Sequence, residues 1–206
     1  MTTLRRHADD DDDGDAVIIL LRRLGSLLSN VNSSDENLPI ISLHTSFRDF
    51  LTNKAKSGEF YVDLRDAHRQ LAHSCLGLLL NDLKFNICNL ETSYLANKDV
   101  TDLNSHVDKH ISLALLYACH FWDGHLEYIG FETDLFGKLR SFFERKLLFW
   151  LETLSLTNDV GLASAACSAL NVWLASGQGV SIIPLLILWG RRITNGYDRS
   201  RLLRQS

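Results

Sequence analysis

The stretch that decides the fold is Leu64 to Leu83, LRDAHRQLAHSCLGLLLNDL, in which apolar side chains recur every three or four residues. In an α-helix this spacing puts them on one side. The resulting stripe consists of Leu64, Ala67, Leu71, Ala72, Cys75, Leu78 and Leu79. Asp63 comes directly before it, where a carboxylate can accept hydrogen bonds from the free amides of the first turn. We therefore predict one long helix that buries this stripe against other elements.

Downstream of this helix the helical pattern continues. Further apolar stripes lie at Val107 to Phe121, Leu135 to Leu154 and Val160 to Leu174. Only two prolines occur in 206 residues, which is too little punctuation for many short strands. We predict a mainly α protein in which residues 63–176 form an α-helical array without a regular repeat.

Upstream, shorter segments alternate between helical and strand-like patterns. They are an amphipathic helix from Ala16 to Leu28, a strand from Pro39 to Leu43, a helix from Thr45 or Ser46 to about Ala55, and a strand from Phe60 to Val62. The order helix, strand, helix, strand predicts a small winged-helix-like unit over residues 16–62.

The two ends of the chain differ from the rest in charge. Residues 1–15 hold six aspartates and are expected to be a disordered acidic terminus, whereas residues 177–206 combine the apolar run Val180 to Trp189 with a basic tail. The net charge of -4 gives no general attraction to nucleic acid. Val180 to Trp189 contains Pro184 and is far shorter than the roughly 20 apolar residues of a membrane span. We expect neither nucleic-acid binding nor stable membrane insertion.

The four cysteines are Cys75, Cys88, Cys119 and Cys167. They are widely spaced, each lies in an apolar setting, and no signal peptide precedes them. This pattern is typical of reduced thiols, and we expect a cytoplasmic protein.

Motifs of phosphate-binding and metal-binding sites match this sequence only in part. Gly130 to Leu139 has six residues between its glycines where a phosphate-binding loop has four, and a leucine where the magnesium-binding hydroxyl should be. A zinc site could combine His106 and His110, four residues apart, with Cys119, His120 and His125, but no Cys-x-x-Cys or His-Glu-x-x-His frame supports it. We expect no metal, and we interpret His68 and His73 as residues at the boundary between core and solvent.

Aromatic side chains are frequent in the helical region. They are Phe121, Trp122, Phe142, Phe143, Phe149, Trp150, Trp173 and Trp189. Their helical spacing favours core packing, whereas an exposed cluster would mark a partner surface. The sequence leaves both interpretations open.

The segment Leu43-His44-Thr45-Ser46-Phe47-Arg48-Asp49-Phe50-Leu51 resembles the winged-helix segment of STAND-type signalling ATPases, in particular the large fungal NACHT proteins. Further blocks follow in the same order, at Glu59 to Asp63, Leu116 to Leu126 and Phe149 to Leu156. The resemblance covers roughly Ala16 to Leu156 and is absent beyond. It implies a nucleotide-gated switch in which ADP holds the ATPase closed and the helical region relays the change to sensor or effector domains.

In that family, a winged-helix histidine approaches the ADP β-phosphate, and His44 occupies the matching position. The resemblance therefore implies that His44 contacts ADP when a NACHT domain is present, in cis or in trans. The alternative is that His44 only caps or packs the strand-to-helix junction.

The sequence contains neither a Walker A nor a Walker B motif, and it is expected to begin about where the ATPase core ends. We expect a non-catalytic regulatory and interaction module with no cofactor of its own, whose partners are a NACHT-type nucleotide-binding domain and other proteins. The alternatives are a winged-helix nucleic-acid-binding protein, or a peripheral membrane protein that uses Val180 to Trp189.

Overall fold

A computed structural model describes residues 27–29, 44–92 and 95–177. These residues form eight α-helices: α1 (Thr45–Leu51), α2 (Lys54–Ser57), α3 (Leu64–Asp82), α4 (Leu103–His110), α5 (Leu113–Phe121), α6 (Thr133–Arg145), α7 (Leu147–Leu156) and α8 (Leu162–Ser176). Three 3-10 helices, Gly58–Phe60, Asn97–Asp99 and Gly124–Tyr128, lie between them. The described residues contain no β-strand, so the predicted mainly α fold is confirmed.

The chain divides into two compact units, residues 1–63 and 64–206. In the first unit, α1 begins at Thr45, as predicted, and His44 is its capping residue. The helix ends at Leu51, with Thr52 as its C-cap, and does not reach Ala55. The Asn53 side chain accepts from the amides of Ala55 and Lys56 and so starts α2.

The strand predicted over Phe60 to Val62 is wrong. Gly58 adopts a positive φ of 55°, and a 3-10 turn follows it. The Val62 N–H donates to the Leu51 carbonyl across 2.8 Å. Strand propensity is expressed only where a neighbouring strand pairs with the segment, and the described part of this unit offers none.

The remaining winged-helix predictions fall largely outside the described residues. The strand Pro39 to Leu43 lies there, as does the helix Ala16 to Leu28 except for its last two residues. Leu27 lies in a turn and Leu28 in an isolated β-bridge, so that helix does not extend to Leu28. The acidic terminus, Val180 to Trp189 and the basic tail also lie outside the described residues, and the winged-helix unit stays a prediction.

The long helix is confirmed as α3, but its buried side is not quite the predicted one. Ala72, Cys75, Leu76 and Leu79 are buried, while Leu64 and Leu71 remain exposed. The helix packs against α5, α6 and the 3-10 helix Gly124–Tyr128. They cover the side of the helix that carries the buried residues and leave Leu64 and Leu71 in contact with solvent.

Two of the downstream stripes are each divided between two helices. Val107 to Phe121 is interrupted where Ser112 accepts from the Leu115 amide and starts α5. Leu135 to Leu154 is interrupted at Lys146, whose ammonium donates to the Leu83 carbonyl just beyond α3 across 2.6 Å. A continuous apolar pattern hides such breaks because both helices turn their apolar sides to the same core.

The aromatic side chains form the centre of this core. The rings of Trp122, Phe142 and Trp150 lie with centroids 5.6 to 6.0 Å apart. Core packing is thus confirmed for these residues and for the buried Phe143 and Trp173. Phe121 is exposed, and Trp189 lies outside the described residues.

All four cysteines are free thiols. Cys75, Cys88 and Cys119 are buried, whereas Cys167 is exposed. It points away from the core because the buried side of α8 is formed by Ala166, Leu170, Trp173 and Leu174.

Candidate functional site

His44, the residue that sequence analysis proposed as an ADP contact, is the N-cap of α1. Its Nδ1 accepts from the Ser46 amide across 3.1 Å and lies 2.8 Å from the Ser46 hydroxyl oxygen. A ring nitrogen that accepts carries no hydrogen, so the neutral ring holds its proton on Nε2. The cap therefore makes Nε2 a donor, which is the role that a phosphate contact requires.

A cluster of histidine and tyrosine side chains lies in the second unit, residues 64–206, and was not predicted from the sequence. His68 of α3 and His125 of the 3-10 helix Gly124–Tyr128 face each other with their Nδ1 atoms 2.9 Å apart. The Nε2 of His125 lies 3.1 Å from the hydroxyl of Tyr117 on α5. A chain of hydrogen bonds thus connects α3 with α5 and the 3-10 helix, two neighbouring elements that lie far from α3 in sequence.

The surroundings of His125 and Tyr117 favour their neutral forms. His125 is only 6% exposed, and burial lowers its pKa from the ordinary 6.5, with a further decrease from a positive charge on His68. Burial raises the pKa of the Tyr117 phenol, and negative charge on nearby Cys75 raises it further. At neutral pH His125 and Tyr117 are therefore uncharged, and each can both donate and accept a hydrogen bond.

The cluster connects to a row of exposed apolar side chains, here named the aromatic face: Leu113, Tyr117, Phe121 and Tyr128. Their exposed fractions are 56, 42, 52 and 50%. Leu113, Tyr117 and Phe121 are spaced four residues apart and share one side of α5. Tyr128 stacks on His68 with centroids 3.8 Å apart, and Tyr117 lies 5.0 Å from Phe121.

Sequence reasoning missed most of this site. The four-residue spacing of Leu113, Tyr117 and Phe121 was a usable signal, because it predicts one side of a helix. The pairing of His68 with His125 spans 57 residues and leaves no local pattern. From the sequence, His125 was a candidate zinc ligand and His68 a residue at the boundary between core and solvent, and nothing paired them.

The structure separates the residues of the proposed zinc site. His106 and His110 do share one side of α4, with centroids 6.0 Å apart, but each Nδ1 lies within hydrogen-bond distance of a backbone carbonyl. His120 instead lies 3.1 Å from Asp159 through its Nε2. Within the described ranges, no group of three or more His, Cys, Asp or Glu side chains is arranged to hold an ion.

The segment with a partial phosphate-loop pattern contributes no such loop. Gly137 and Lys138 lie inside α6. Gly130 precedes that helix, and its carbonyl accepts from the indole N–H of Trp173 across 3.1 Å. The second half of this segment is helical, with Leu135 and Leu139 buried in the core.

Comparison with protein-family models, curated proteins and solved structures found no match for the chain. In the part of the chain that the structure describes, none of the helices combines the length and apolar character needed to cross a bilayer.

Proposed function

We propose that this chain is a non-catalytic regulatory and protein-interaction module of a NACHT-type signalling ATPase, which relays nucleotide state to sensor or effector domains. The ordered sequence blocks described above support the family. The aromatic face of the helical unit supports the interaction role and is the observation that carries it. The partner to which the proposal commits is a NACHT-type nucleotide-binding domain.

Exposed aromatic rings favour docking, because they leave a large apolar surface in contact with water. Tyr and Phe side chains are enriched at protein interfaces, where their large surface gives a hydrophobic gain with few rotamers to freeze. Phe121 leaves about half of its surface in water, whereas the next residue, Trp122, is buried in the core. Burial of Phe121 and Leu113 against a partner would recover that hydrophobic free energy.

In this proposal, His44 adds the nucleotide contact. The Nε2 donor that the helix cap enforces would approach a phosphate oxygen of ADP held by the partner domain. Contact with ADP but not with ATP would make the affinity of the two proteins depend on the nucleotide. This is how a module without an ATPase site can report nucleotide state.

The test is co-elution of the full chain with a purified NACHT-type domain loaded with MgADP or with MgATP. We expect a complex in one nucleotide state that is stronger than in the other. Phe121→Ser and Leu113→Ser each weaken it by about tenfold, the loss expected for one interface residue worth about 1.4 kcal/mol. Absence of a complex in both states overturns the proposal.

The matched control is Val172→Ser. Val172 lies on α8, outside the aromatic face, and is 72% exposed. Its replacement removes a comparable exposed apolar side chain and should leave the complex intact. Equal weakening by Val172→Ser and Phe121→Ser would show that the aromatic face has no special role.

A further inference from the structure

The contact between His68 and His125 can be formed in only certain protonation states. At an Nδ1 to Nδ1 distance of 2.9 Å, one nitrogen carries the hydrogen and the other accepts it. Two neutral rings satisfy this in either direction. If His125 donates through Nδ1, its Nε2 accepts from the Tyr117 hydroxyl; if it accepts at Nδ1, its Nε2 donates to that oxygen.

One added proton is also compatible with the contact. A charged His68 donates from Nδ1 to His125, and its ring stays stacked on Tyr128, whose face attracts a cation. A second proton is not compatible, because both Nδ1 atoms then carry hydrogen and both rings are positive. The contact changes from a hydrogen bond to a repulsion between two like charges in a half-buried site.

The surroundings contain no carboxylate in direct contact with the pair among the described residues. Two titratable side chains contact the pair: Tyr117 on α5 is hydrogen-bonded to His125, and Tyr128 is stacked on His68. Cys75 on α3 is close enough to Tyr117 to affect its pKa, and Cys119 on α5 is close enough to Cys75 to be affected by it. Asp123 lies directly before the 3-10 helix Gly124–Tyr128 and Glu127 lies on it. Burial raises the pKa of Asp123, and the negative charge on Glu127 raises it further. Burial raises the pKa of Cys75 to about 11 and of Cys119 to about 12, so neither supplies a negative charge near neutral pH.

We propose that His68, His125 and Tyr117 form a proton-operated clasp that joins α3, α5 and the 3-10 helix Gly124–Tyr128 and opens when the two histidines hold a second proton. Opening moves His68, on which Tyr128 stacks, away from His125, to which Tyr117 is hydrogen-bonded. Tyr117 and Tyr128 both belong to the aromatic face, so acidification disrupts that face and weakens partner binding. The effect on partner binding rests on the proposed function.

The direction of the pH effect follows from His125. Its folded-state pKa lies below the unfolded value of 6.5, so the unfolded chain binds the proton more tightly. The stabilisation is complete above pH 6.5 and is lost as the pH falls below that value towards the folded-state pKa. Each tenfold difference in proton affinity between the folded and unfolded states lowers the unfolding midpoint by about 3–5 °C.

The first experiment is an NMR titration of the imidazole rings in the unmodified full chain. We expect His125 to titrate below pH 6.5, with the signals of His68, Tyr117 and Tyr128 changing in the same step. Titration of His125 at the ordinary histidine value, or without a change in these neighbours, overturns the clasp. This measurement needs no variant and so does not depend on one that folds.

The second experiment compares thermal unfolding of the full chain at about pH 7.5 and about pH 5.5. His125→Gln should lose the decrease in midpoint that the unmodified chain shows. His73→Gln, on the same helix but in contact with Glu132 and Asp134, should keep it. The clasp is contradicted if acidification lowers the unfolding midpoint of His125→Gln as much as that of the unmodified chain. It is also contradicted if His125→Gln and His73→Gln diminish this fall in the midpoint equally.

Co-elution with the NACHT-type domain at the two pH values separates the two proposals. Binding of the unmodified chain at neutral pH that is lost on acidification supports both. Binding that does not depend on pH overturns the role of the clasp in docking and leaves the proposed function standing. A clasp that titrates as expected without any binding leaves the clasp standing and overturns the proposed function.

Discussion

The indole N–H of Trp150 on α7 donates to the backbone carbonyl of Cys119 on α5 across 2.9 Å, inside the core. Cys119 lies in the last turn of its helix, where carbonyl groups have no partner within the helix. A tryptophan that packs against Trp122 and Phe142 therefore also satisfies the end of a neighbouring helix. This bond ties the helix that carries the aromatic face to the centre of the protein.

Trp150→Phe should lower the free energy of unfolding by about 2–4 kcal/mol, because it leaves a cavity and an unpaired buried carbonyl. Equilibrium unfolding in urea measures the change. Phe149→Leu, on the same helix but only half-buried, is the control and should cost less than about 1.5 kcal/mol. Similar losses in both variants would show that the hydrogen bond to Cys119 adds nothing to apolar packing.

Replacement of His44 separates its capping role from its proposed nucleotide role. Asparagine is a good N-cap, so His44→Asn should keep amide exchange at Ser46 as slow as in the unmodified chain, whereas His44→Ala should accelerate it through the loss of about 1 kcal/mol of capping. Hydrogen exchange followed by NMR measures both. If His44 contacts ADP, His44→Asn keeps the cap and loses the nucleotide dependence of co-elution. Unaltered nucleotide dependence in His44→Asn would limit this histidine to the cap.

The burial of Glu152 should make the stability of the protein depend on pH in the opposite direction to that of His125. Burial raises the pKa of Glu152 above the ordinary 4.5, against the partly compensating amides of Asn86 and Ile87. Its contribution to stability is present in full below pH 4.5 and is lost as the pH rises through the folded-state pKa. Glu152→Gln should therefore gain stability relative to the unmodified chain as the pH rises from about 4 to about 7. Urea unfolding at several pH values, with Glu91→Gln as an exposed control, measures this, and an equal trend in the control would contradict it.

The cysteines should differ in alkylation rate. Cys167 is exposed, while Cys75 and Cys119 are buried and burial raises their pKa to about 11 and about 12. The thiolate is the reacting species, so iodoacetamide at neutral pH should label Cys167 first and Cys119 only after unfolding. Peptide mass spectrometry over time measures the order. Labelling of Cys119 as fast as Cys167 in the folded chain would mean that α5 opens readily.

The sequence by itself determined the helical class, the position of α3, and most of the aromatic core. These features depend on local spacing, because side chains three or four residues apart share one side of a helix whatever it packs against. The breaks at Ser112 and Lys146 were missed. They depend on which neighbour each segment meets.

Only the tertiary structure decided the pairing of His68 with His125 and the exposure of Phe121 beside the buried Trp122. Two histidines 57 residues apart meet because α3 packs against the 3-10 helix Gly124–Tyr128. Which of two adjacent aromatic rings is buried depends on the rotation of α5 about its axis, and the apolar pattern of that helix extends around most of its circumference. Burial and the positive charge on His68 then lower the pKa of His125, and both effects require the folded chain.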